Sequence, residues 1–288
     1  MEIKCPLCGS QDSVFWKRGN LDYSEADSED FKITDSDYGL FPDFLKCQNC
    51  GLRYAEKMPT PQQLVRLYSD VVDPEYEAEK EGRGENFLRI LKLMEKLKGK
   101  GELLDVGAAT GILMEMAEKR GWKTRGVEVS GWACEVAKRK GLEVFHGDFL
   151  DYPETKKFDS ITMIDVIEHL AEPAKAIKKA YGLLKPGGLL VLVTPDIESP
   201  TAKLMGKRWW HFRPAHVNFF SRRTINWLAD NFGFKILKMR NYIWNFSVHY
   251  LITRFSWGRK MFNWDLLKKI KLKLILFDSL EAYLEKLP

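Results

Sequence analysis

A glycine-rich turn between residues 102 and 111 is the part of the chain best suited to binding a ligand. The sequence ELLDVGAATG places an apolar run, an acid and two glycines in front of a helical pattern. Gly107 and Gly111 let the backbone approach a ligand closely, because neither carries a Cβ. The helix that follows offers free N–H groups at its start. This strand–turn–helix unit predicts a nucleotide-sized site at the C-terminal end of a parallel strand.

The spacing of this turn differs from that of dinucleotide-binding proteins. Those proteins use G-x-G-x-x-G, whereas this turn reads G-A-A-T-G. Asp105, two residues before Gly107, would repel a pyrophosphate. A carboxylate at this place can instead accept hydrogen bonds from a cationic ligand with a free amino group, and we expect a ligand of that kind.

Four more apolar runs follow, and several carry an acid near their end. The runs lie at residues 122–131, 142–151, 158–170 and 183–196. Their acids are Glu128, which can bind both hydroxyls of a ribose, Asp148, which is also an ordinary turn residue, and Asp165. Helical patterns separate the runs. The alternation predicts an α/β fold, a Rossmann-like parallel sheet with helices on both faces.

These five ordered motifs resemble those of class I S-adenosylmethionine (SAM)-dependent methyltransferases, in the group that includes ubiquinone-biosynthesis and sugar methyltransferases. The resemblance covers roughly residues 101–243. It departs from the family pattern at Ala108-Ala109, where Cys-Gly is commoner, but small residues keep the turn open. The resemblance implies SAM as the cofactor, with Asp105, Gly107, Ala108 and Gly111 at its methionine end, Glu128 and Val129 at the ribose, Asp148 and Phe149 at the adenine, and Asp165 near the reacting methyl.

Two matched cysteine pairs predict a metal site near the N-terminus. Cys5 and Cys8, like Cys47 and Cys50, form C-x-x-C-G knuckles of the kind that hold tetrahedral zinc. The alternative is a disulfide pair or unrelated thiols, and disulfides are disfavoured in the cytosol. Four cysteine ligands leave no open position, so the Zn²⁺ would be structural. The fifth cysteine, Cys134, is interpreted as a core residue.

The composition is that of a globular protein with one large and one small domain. The chain has 288 residues, of which 45% are hydrophobic. It has no apolar run of about 18 residues and no signal-peptide pattern at the start, so we expect a cytoplasmic protein. The predicted divisions are a zinc ribbon at 1–58, a helical linker or cap at 59–100, a SAM-binding domain at 101–245 and a basic amphipathic helical extension at 246–288.

The helical extension is predicted from a row of apolar residues, Leu267, Ile270, Leu274, Phe277 and Leu284. A strand within LKLILF is the alternative, because short apolar runs are ambiguous. Methyltransferases of this class close their sheet with a seventh strand, and the sequence offers no clear candidate for it. A sixth strand is predicted in KILKMRNYI, after a helix that Ser221 caps.

Charge is distributed unevenly along the chain. Residues 1–58 carry 7 Lys/Arg and 11 Asp/Glu, whereas residues 203–288 carry 17 Lys/Arg and 5 Asp/Glu. The basic segment also holds six of the nine tryptophans. It suits an anion, such as a nucleotide-sugar, a lipid pyrophosphate, an anionic membrane surface or a nucleic acid; the alternative is a solvated basic face over a tryptophan-containing core. The acidic ribbon argues against RNA, because phosphate contacts require basic residues.

Histidines are the candidate bases for methyl transfer to a hydroxyl. His216, in RPAHVNFFS, is the first candidate, because the resemblance places a histidine of this context at the mouth of the SAM site. His169, in the Asp165-Val-Ile-Glu-His169 motif, is the second, and Asp165 completes the catalytic candidates. For each histidine the alternative is a side chain satisfied by local hydrogen bonds. Candidate substrate-binding residues are Tyr76, Trp210, His211 and Arg213, and Tyr68 could face the ligand as well.

The sequence therefore predicts a SAM-dependent methyltransferase that acts on a small or lipid-linked anionic metabolite, with a sugar or polysaccharide intermediate favoured. Peripheral membrane contact through the basic C-terminal segment is part of this hypothesis. The first alternative is a zinc-ribbon RNA methyltransferase. The second is a SAM-binding interaction protein without turnover. Nothing in the sequence indicates an oligomeric state.

Overall fold

A computed structural model describes residues 3–24, 26–32, 34, 38–153, 155–247 and 271–288. Within these ranges the strands are β1 (Ser13–Lys17), β2 (Phe44–Cys47), β3 (Arg53–Ala55), β4 (Glu102–Val106), β5 (Lys123–Glu128), β6 (Val144–His146), β7 (Phe158–Ile164), β8 (Leu184–Pro195), β9 (Asn218–Phe219), β10 (Phe234–Asn241), β11 (Trp244–Ser247), β12 (Lys271–Leu274) and β13 (Ser279–Lys286). The α-helices are α1 (Pro61–Ser69), α2 (Pro74–Ala78), α3 (Lys80–Lys98), α4 (Ile112–Lys119), α5 (Gly131–Arg139), α6 (Pro173–Leu183), α7 (Pro200–Met205) and α8 (Arg222–Phe232).

The main sheet has the strand order β10-β13-β8-β7-β4-β5-β6. The five strands from β8 to β6 are parallel, as the alternating pattern predicted. Successive residues of β4 point to opposite faces, so Leu103 joins one buried cluster and Leu104 the other. Helices α3 and α4 cover the first face, and α6 and α8 cover the second. The predicted α/β, Rossmann-like architecture is confirmed, and the C-terminal ends of its parallel strands share one edge.

The C-terminal segment corrects the prediction of a helical extension. Residues 271–274 and 279–286 form strands β12 and β13, not a helix. The alternative, a strand within LKLILF, holds for the first residues of that run. Strand β13 pairs antiparallel with both β8 and β10, so it is the seventh strand for which the sequence offered no candidate. His249, Trp257, Trp264, Leu267 and Ile270 lie outside the described residues.

The physical reason for this correction is burial on both faces of the sheet. The first six residues of β13 are buried, which removes the apolar–polar alternation by which a strand is recognised. Glu281 is fully buried and forms ion pairs with Arg89 and Arg240. In the sequence, the acid suggests a solvent-exposed face and therefore an amphipathic helix. In the structure, the two arginines neutralise it inside the sheet.

The cysteine-bearing segment forms a separate sheet that the rest of the chain completes. Its order is β1-β2-β3-β9, and the last strand belongs to the segment that follows β8. Arg53 and Tyr54 of β3 lie opposite Phe219 and Asn218 of β9. The ribbon therefore shares backbone hydrogen bonds with the loop that carries His216.

The region between the ribbon and the first parallel strand is helical, as predicted. Thr60 and Gln63 form a capping box at the start of α1, and the last residue of α3 precedes Gly99. Ser221 accepts a hydrogen bond from the backbone N–H of Thr224 and caps α8. Among the described residues, no helix has the length and apolarity needed to span a membrane.

Candidate functional site

The glycine-rich turn joins β4 to α4 and has the backbone geometry that its glycines suggested. Gly107 has a φ of 71°, and a Cβ at this position would lie 2.5 Å from Cγ2 of Val166. Gly111 has a φ of 78° and would place a Cβ 2.2 Å from Cδ1 of Leu142. Gly107 lines the large cavity described below, whereas Gly111 does not. Both glycines are required by the turn, because each has a positive φ and a Cβ on either would clash with a neighbouring side chain.

Glu128, at the end of β5, is held by backbone donors. One carboxylate oxygen accepts from the N–H of Ala109 over 2.8 Å. The other accepts from the N–H groups of Val129, at 2.9 Å, and Ser130, at 2.8 Å. Burial raises the pKa of Glu128, and these hydrogen bonds oppose the rise. The backbone fixes the direction of the carboxylate, and one acceptor site remains, on the oxygen that accepts from Ala109.

Asp105, at the end of β4, is a buried carboxyl with one side-chain partner. It accepts a hydrogen bond from the Thr162 hydroxyl over 2.7 Å. Burial is the main cause that raises its pKa to about 7, the hydrogen bond from Thr162 lowers it, and Glu128 raises it further. A cation placed beside Asp105 would restore its ionised form, because an opposite charge favours the charged state.

The turn that follows β6 supplies a polar residue and an aromatic ring. Asp148 accepts from the N–H of Leu150 over 2.7 Å and caps a short 3₁₀ helix over Phe149–Asp151. The ring of Phe149 is buried and lines the cavity. Asp148 thus has a local capping role as well as its place in the cavity wall, as the turn interpretation of Gly147-Asp148 allowed.

These residues line one cavity of about 820 Å³ together with most of the other predicted site residues. The part that we call the turn half is lined by Asp105, Gly107, Ala108, Glu128, Val129, Asp148 and Phe149. The part that we call the histidine half is lined by Tyr68, Tyr76, Asp165, His169, Trp210, His211, Arg213, His216 and Asp278. The structure therefore brings all the candidate residues of the main domain into one cavity except Gly111.

Asp165 stands where the two halves meet. It follows β7 directly and has a φ of 51°, a conformation that costs a non-glycine residue energy and is found at functional sites. Burial raises its pKa to about 6, and interaction with His211, Arg83 and Arg213 opposes the rise. Its neighbour Glu168 is fully buried, and burial raises the pKa of that carboxyl well above its ordinary value.

His169 and His216 lie edge to face in the histidine half, with ring centroids 4.8 Å apart and planes at 69°. Nδ1 of His169 lies 2.6 Å from the Tyr68 hydroxyl and 2.8 Å from the carbonyl oxygen of Ala215. Nδ1 of His216 donates to the carbonyl oxygen of His211 over 2.8 Å. Burial lowers the pKa of His169 to about 4, and burial and the nearby His169 and His211 hold the pKa of His216 well below its ordinary value. Both rings are neutral near pH 7.

Asp278, to which the sequence analysis did not point, binds three side chains in the histidine half. One of its oxygens accepts from Nε1 of Trp210, at 2.9 Å, and Nε2 of His211, at 3.1 Å. The other accepts from Nε1 of Trp244 at 3.0 Å. Burial raises the pKa of Asp278, but the hydrogen bonds from the three rings outweigh burial and keep that pKa below its ordinary value. Asp278 is therefore an oriented anion in the cavity wall.

Arg83 is a second cavity residue that the sequence analysis missed. It lies on α3, its guanidinium carbon is 4.0 Å from the centroid of the Tyr76 ring, and both residues line the cavity. Its buried Nε has no hydrogen-bond partner among the described residues. A helix-borne arginine has no local sequence signal, because most such residues lie on solvated helix faces.

The histidine half is held in place by the ribbon and its insertion. The segment of residues 209–217, which we call the histidine segment, carries Trp210, His211, Arg213 and His216. Its carbonyl oxygens accept three hydrogen bonds of 2.9 Å from outside: from the Tyr23 hydroxyl to Pro214, from the Gly39 N–H to Phe212, and from the Ala55 N–H to Val217. Phe212 packs against Phe41, Phe44 and Trp16. The position of the histidines thus depends on the ribbon.

The four cysteines of the ribbon meet at one point. The Sγ atoms of Cys5 and Cys50 are 3.6 Å apart, and those of Cys8 and Cys47 are 3.4 Å apart. All four sulfurs lie within 4.8 Å of one another. A disulfide requires about 2.05 Å, whereas tetrahedral Zn–S bonds of about 2.3 Å place sulfurs about 3.8 Å apart. The donor set fits a metal ion. Cys134 is buried elsewhere, and burial raises its pKa to about 12.

Fold and site together define a SAM-dependent methyltransferase of class I, with a Rossmann-like sheet and a ligand cavity at the C-terminal ends of its parallel strands. The comparison with known families agrees: the model of the methyltransferase domain family matches residues 78–239. That match covers more than half of the chain, and the protein belongs to this family.

Curated relatives of similar sequence include ubiquinone biosynthesis O-methyltransferases. The protein of Alkalilimnicola ehrlichii is 31% identical over 100 residues, which are 32% of this chain and 40% of that protein. The protein of Actinobacillus pleuropneumoniae is 31% identical over 125 residues, which are 38% of this chain and 53% of that protein. The chain spans about half the length of the curated relatives it matches.

Solved structures show the same fold at low sequence identity. A SAM-dependent methyltransferase from Thermotoga maritima has a TM-score of 0.51 and 22% identity, with 74% of this chain and 95% of that chain covered. The magnesium protoporphyrin IX methyltransferase of Synechocystis, solved with bound S-adenosylhomocysteine (SAH), has a TM-score of 0.51 and 13% identity, with 75% of this chain and 89% of that chain covered.

Proposed function

We propose that this protein transfers the methyl group of SAM to a small or lipid-linked anionic metabolite, with a sugar intermediate of a polysaccharide as the favoured class. The observation that supports the proposal is the single cavity. It joins a turn half suited to SAM with a histidine half that carries imidazoles, cations and tryptophans. Its volume of about 820 Å³ lies in the upper part of the range of about 300–1,000 Å³ for small-molecule sites.

The residues of the turn half fit SAM. Gly107 keeps the turn close to Val166, where a Cβ would clash. Asp105 is a buried acceptor for the amino group, and Glu128 is an oriented acceptor for a ribose hydroxyl. Phe149 offers a buried apolar face and Asp148 a polar group to the adenine. Arg83, across the cavity, is a partner for the carboxylate. When bound, SAM supplies an electrophilic methyl group on a good leaving group.

The residues of the histidine half fit an anionic acceptor. Lys32, Arg208 and Arg213 line this region and provide positive charge. Tyr76, Trp210 and Trp244 provide flat apolar faces. His169, His211 and His216 supply a base for the acceptor proton, and Asp165 stands between them and the turn half. The acceptor is held in line with the methyl group, and positioning of this kind supplies the larger part of the rate enhancement.

We propose in addition that Cys5, Cys8, Cys47 and Cys50 hold a structural Zn²⁺. The sulfur distances support this, because they match a tetrahedral thiolate site and not a disulfide. The metal would close a small ribbon that has little core of its own. It takes no part in methyl transfer, since four thiolates leave no position open.

The test of the proposed function is a label-transfer assay. Purified protein is incubated with methyl-tritiated SAM and, in separate reactions, with nucleotide-sugars, extracted lipids or RNA. We expect label in the nucleotide-sugar or lipid pool. Label in RNA would overturn the metabolite class in favour of the RNA methyltransferase. SAM binding without label in any pool would favour the interaction protein.

A further inference from the structure

We infer that His211, oriented by Asp278, is the base that takes the acceptor proton, and that His216 has a supporting place beside it. This inference rests on the proposed function and names a further catalytic residue for the same site. The sequence predicted only a substrate-binding role for His211 and no role for Asp278. The pair is formed by two segments that lie 67 residues apart in the chain.

The hydrogen bond between the two side chains fixes the tautomer of His211. Asp278 is buried, with 1% of its side chain exposed, and as an anion it can only accept hydrogen bonds. The 3.1 Å contact to Nε2 of His211 therefore places a proton on Nε2. The lone pair of the neutral ring is then on Nδ1. A base needs such a free lone pair, and the same carboxylate stabilises the imidazolium that forms when Nδ1 accepts a proton.

Neither of the other two cavity histidines has a carboxylate partner of this kind. Nδ1 of His169 contacts the Tyr68 hydroxyl and a backbone carbonyl, and Nδ1 of His216 donates to the backbone of His211. No anion in the described part of the chain is hydrogen-bonded to either ring. Burial and positive neighbours disfavour their charged forms. Glu168 lies within 4.8 Å of both rings, but its carboxylate is hydrogen-bonded to Thr194 instead. Protonation of either ring would therefore leave a buried cation without a hydrogen-bonded carboxylate.

Asp278 is itself built into the wall. Trp210 and Trp244 donate to it from two further segments, so three donors hold its two oxygens. The ring of His211 stacks beside that of His216, with centroids 5.7 Å apart and planes 21° apart. His216 in turn holds the backbone of residue 211 through its Nδ1 donor. These contacts fix the imidazole in one orientation, as a base must be fixed.

His211 also lies on the side of the cavity from which the methyl group is reached. His211 and Asp165 line the same cavity, and Asp165 stands at the border with the turn half. In the transfer step the acceptor oxygen forms a bond to the methyl carbon. The bond from that carbon to the sulfonium sulfur breaks, and its electron pair stays on the sulfur of SAH. The hydroxyl proton moves to Nδ1 of His211 and then to solvent.

The first arm of the test is spectroscopic and needs no acceptor. Protein with ¹⁵N-labelled histidine is saturated with SAH, and long-range ¹H–¹⁵N correlation spectra give the tautomer of each ring. We expect His211 to carry its proton on Nε2 in the wild-type protein. In D278A no carboxylate faces Nε2, so the preference for the Nε2–H form should be lost. A wild-type His211 with its proton on Nδ1, or a D278A spectrum with an unchanged tautomer, would overturn the inference.

The second arm compares variants in the label-transfer assay with the pool that accepts label. His211→Gln and D278A should lower transfer by about 100-fold or more, the usual contribution of a general base, while the Kd of SAM stays within about threefold. His216→Asn, whose amide nitrogen takes the place of Nδ1 and can still donate to the carbonyl of residue 211, should lose less than His211→Gln. A larger loss in His216→Asn would make His216 the base. Failure of the wild type to bind SAM would refute the proposed function itself. The inference about His211 fails separately, if the tautomer measurement places its proton on Nδ1.

Discussion

The two halves of the cavity are built in different ways. The turn half is formed by residues at the ends of the adjacent parallel strands β4, β5 and β6. These residues are close together in the chain or lie on neighbouring strands. The histidine half collects Tyr68 from α1, His169 after β7, the histidine segment and Asp278 before β13. Its frame is the ribbon, which contacts the histidine segment at three carbonyl groups. A methyltransferase can thus keep its cofactor site in the sheet and place its acceptor chemistry on attached segments.

Loss of the ribbon metal should separate the two halves most clearly. In Cys47→Ser the four-sulfur site is broken, so bound zinc should be lost, and residues 209–220 should exchange their amide hydrogens at least about 100-fold faster. The strands from β4 to β6 should keep their protection, and the Kd of SAM should change by less than about threefold. Metal analysis, hydrogen-exchange mass spectrometry and calorimetry measure these quantities.

Cys134→Ser is the control for the ribbon variant, because Cys134 is buried outside the metal site. If Cys47→Ser keeps its metal, the zinc proposal fails. If it loses SAM binding as well, the halves are not separable and the comparison fails.

Removal of the Glu128 carboxylate should have the opposite effect. Glu128→Ala loses the acceptor for a ribose hydroxyl, and a hydrogen bond to a charged group contributes about 1.5–3 kcal/mol. We expect the Kd of SAM to rise about 30-fold, measured by calorimetry, with the metal content unchanged. Glu143→Ala is the matched control, since Glu143 lies on the adjacent surface in an exposed pair with Arg125. An unchanged Kd in Glu128→Ala would remove this residue from the SAM site.

The pH dependence of SAM binding should report on Asp105. Burial raises the pKa of this carboxyl to about 7, so below that pH it is mostly neutral and pairs poorly with the amino group of SAM. The affinity should therefore rise about tenfold between pH 5.5 and 7, a range in which the amino group stays protonated. Asp105→Asn should flatten the profile. A profile of equal slope in the variant would assign the pH dependence to another group.

The smallest effect is expected in the histidine half. Tyr68→Phe removes the hydroxyl 2.6 Å from Nδ1 of His169, and this nitrogen keeps the carbonyl of Ala215 as a partner. Methyl transfer should fall about threefold with an unchanged Kd of SAM, since a neutral hydrogen bond contributes about 1 kcal/mol. Tyr54→Phe, which removes a ribbon hydroxyl bound to Ser13, should leave the transfer rate as it is. A weaker Kd of SAM in Tyr68→Phe would place Tyr68 in the cofactor site.

The same difference explains which parts of the structure the sequence could predict. In the turn half, strand, turn and acid are adjacent in the chain, so Asp105 and Glu128 could be placed from local pattern. Asp165 could be placed in the same way, because it directly follows β7. Asp278 has no such context, because its partners Trp210 and Trp244 meet it only through the fold. Strand β13 was missed because leucine, alanine and glutamate favour helices, and because burial on both faces erases the period of a strand. Gly111 was assigned to the ligand, although the turn itself explains it.

The central place of β13 has a consequence for biosynthesis. Strand β13 lies between β8 and β10, which both leave the ribosome earlier, and β9 completes the ribbon sheet more than 150 residues after β3. Until these late strands arrive, β8, β10 and β3 each expose an unpaired edge, which is where chains aggregate. Pairings so distant in the chain also slow folding. The nascent chain must therefore carry incomplete sheets until nearly all of residues 1–286 have been made, and chaperones that cover strand edges should engage it during that interval.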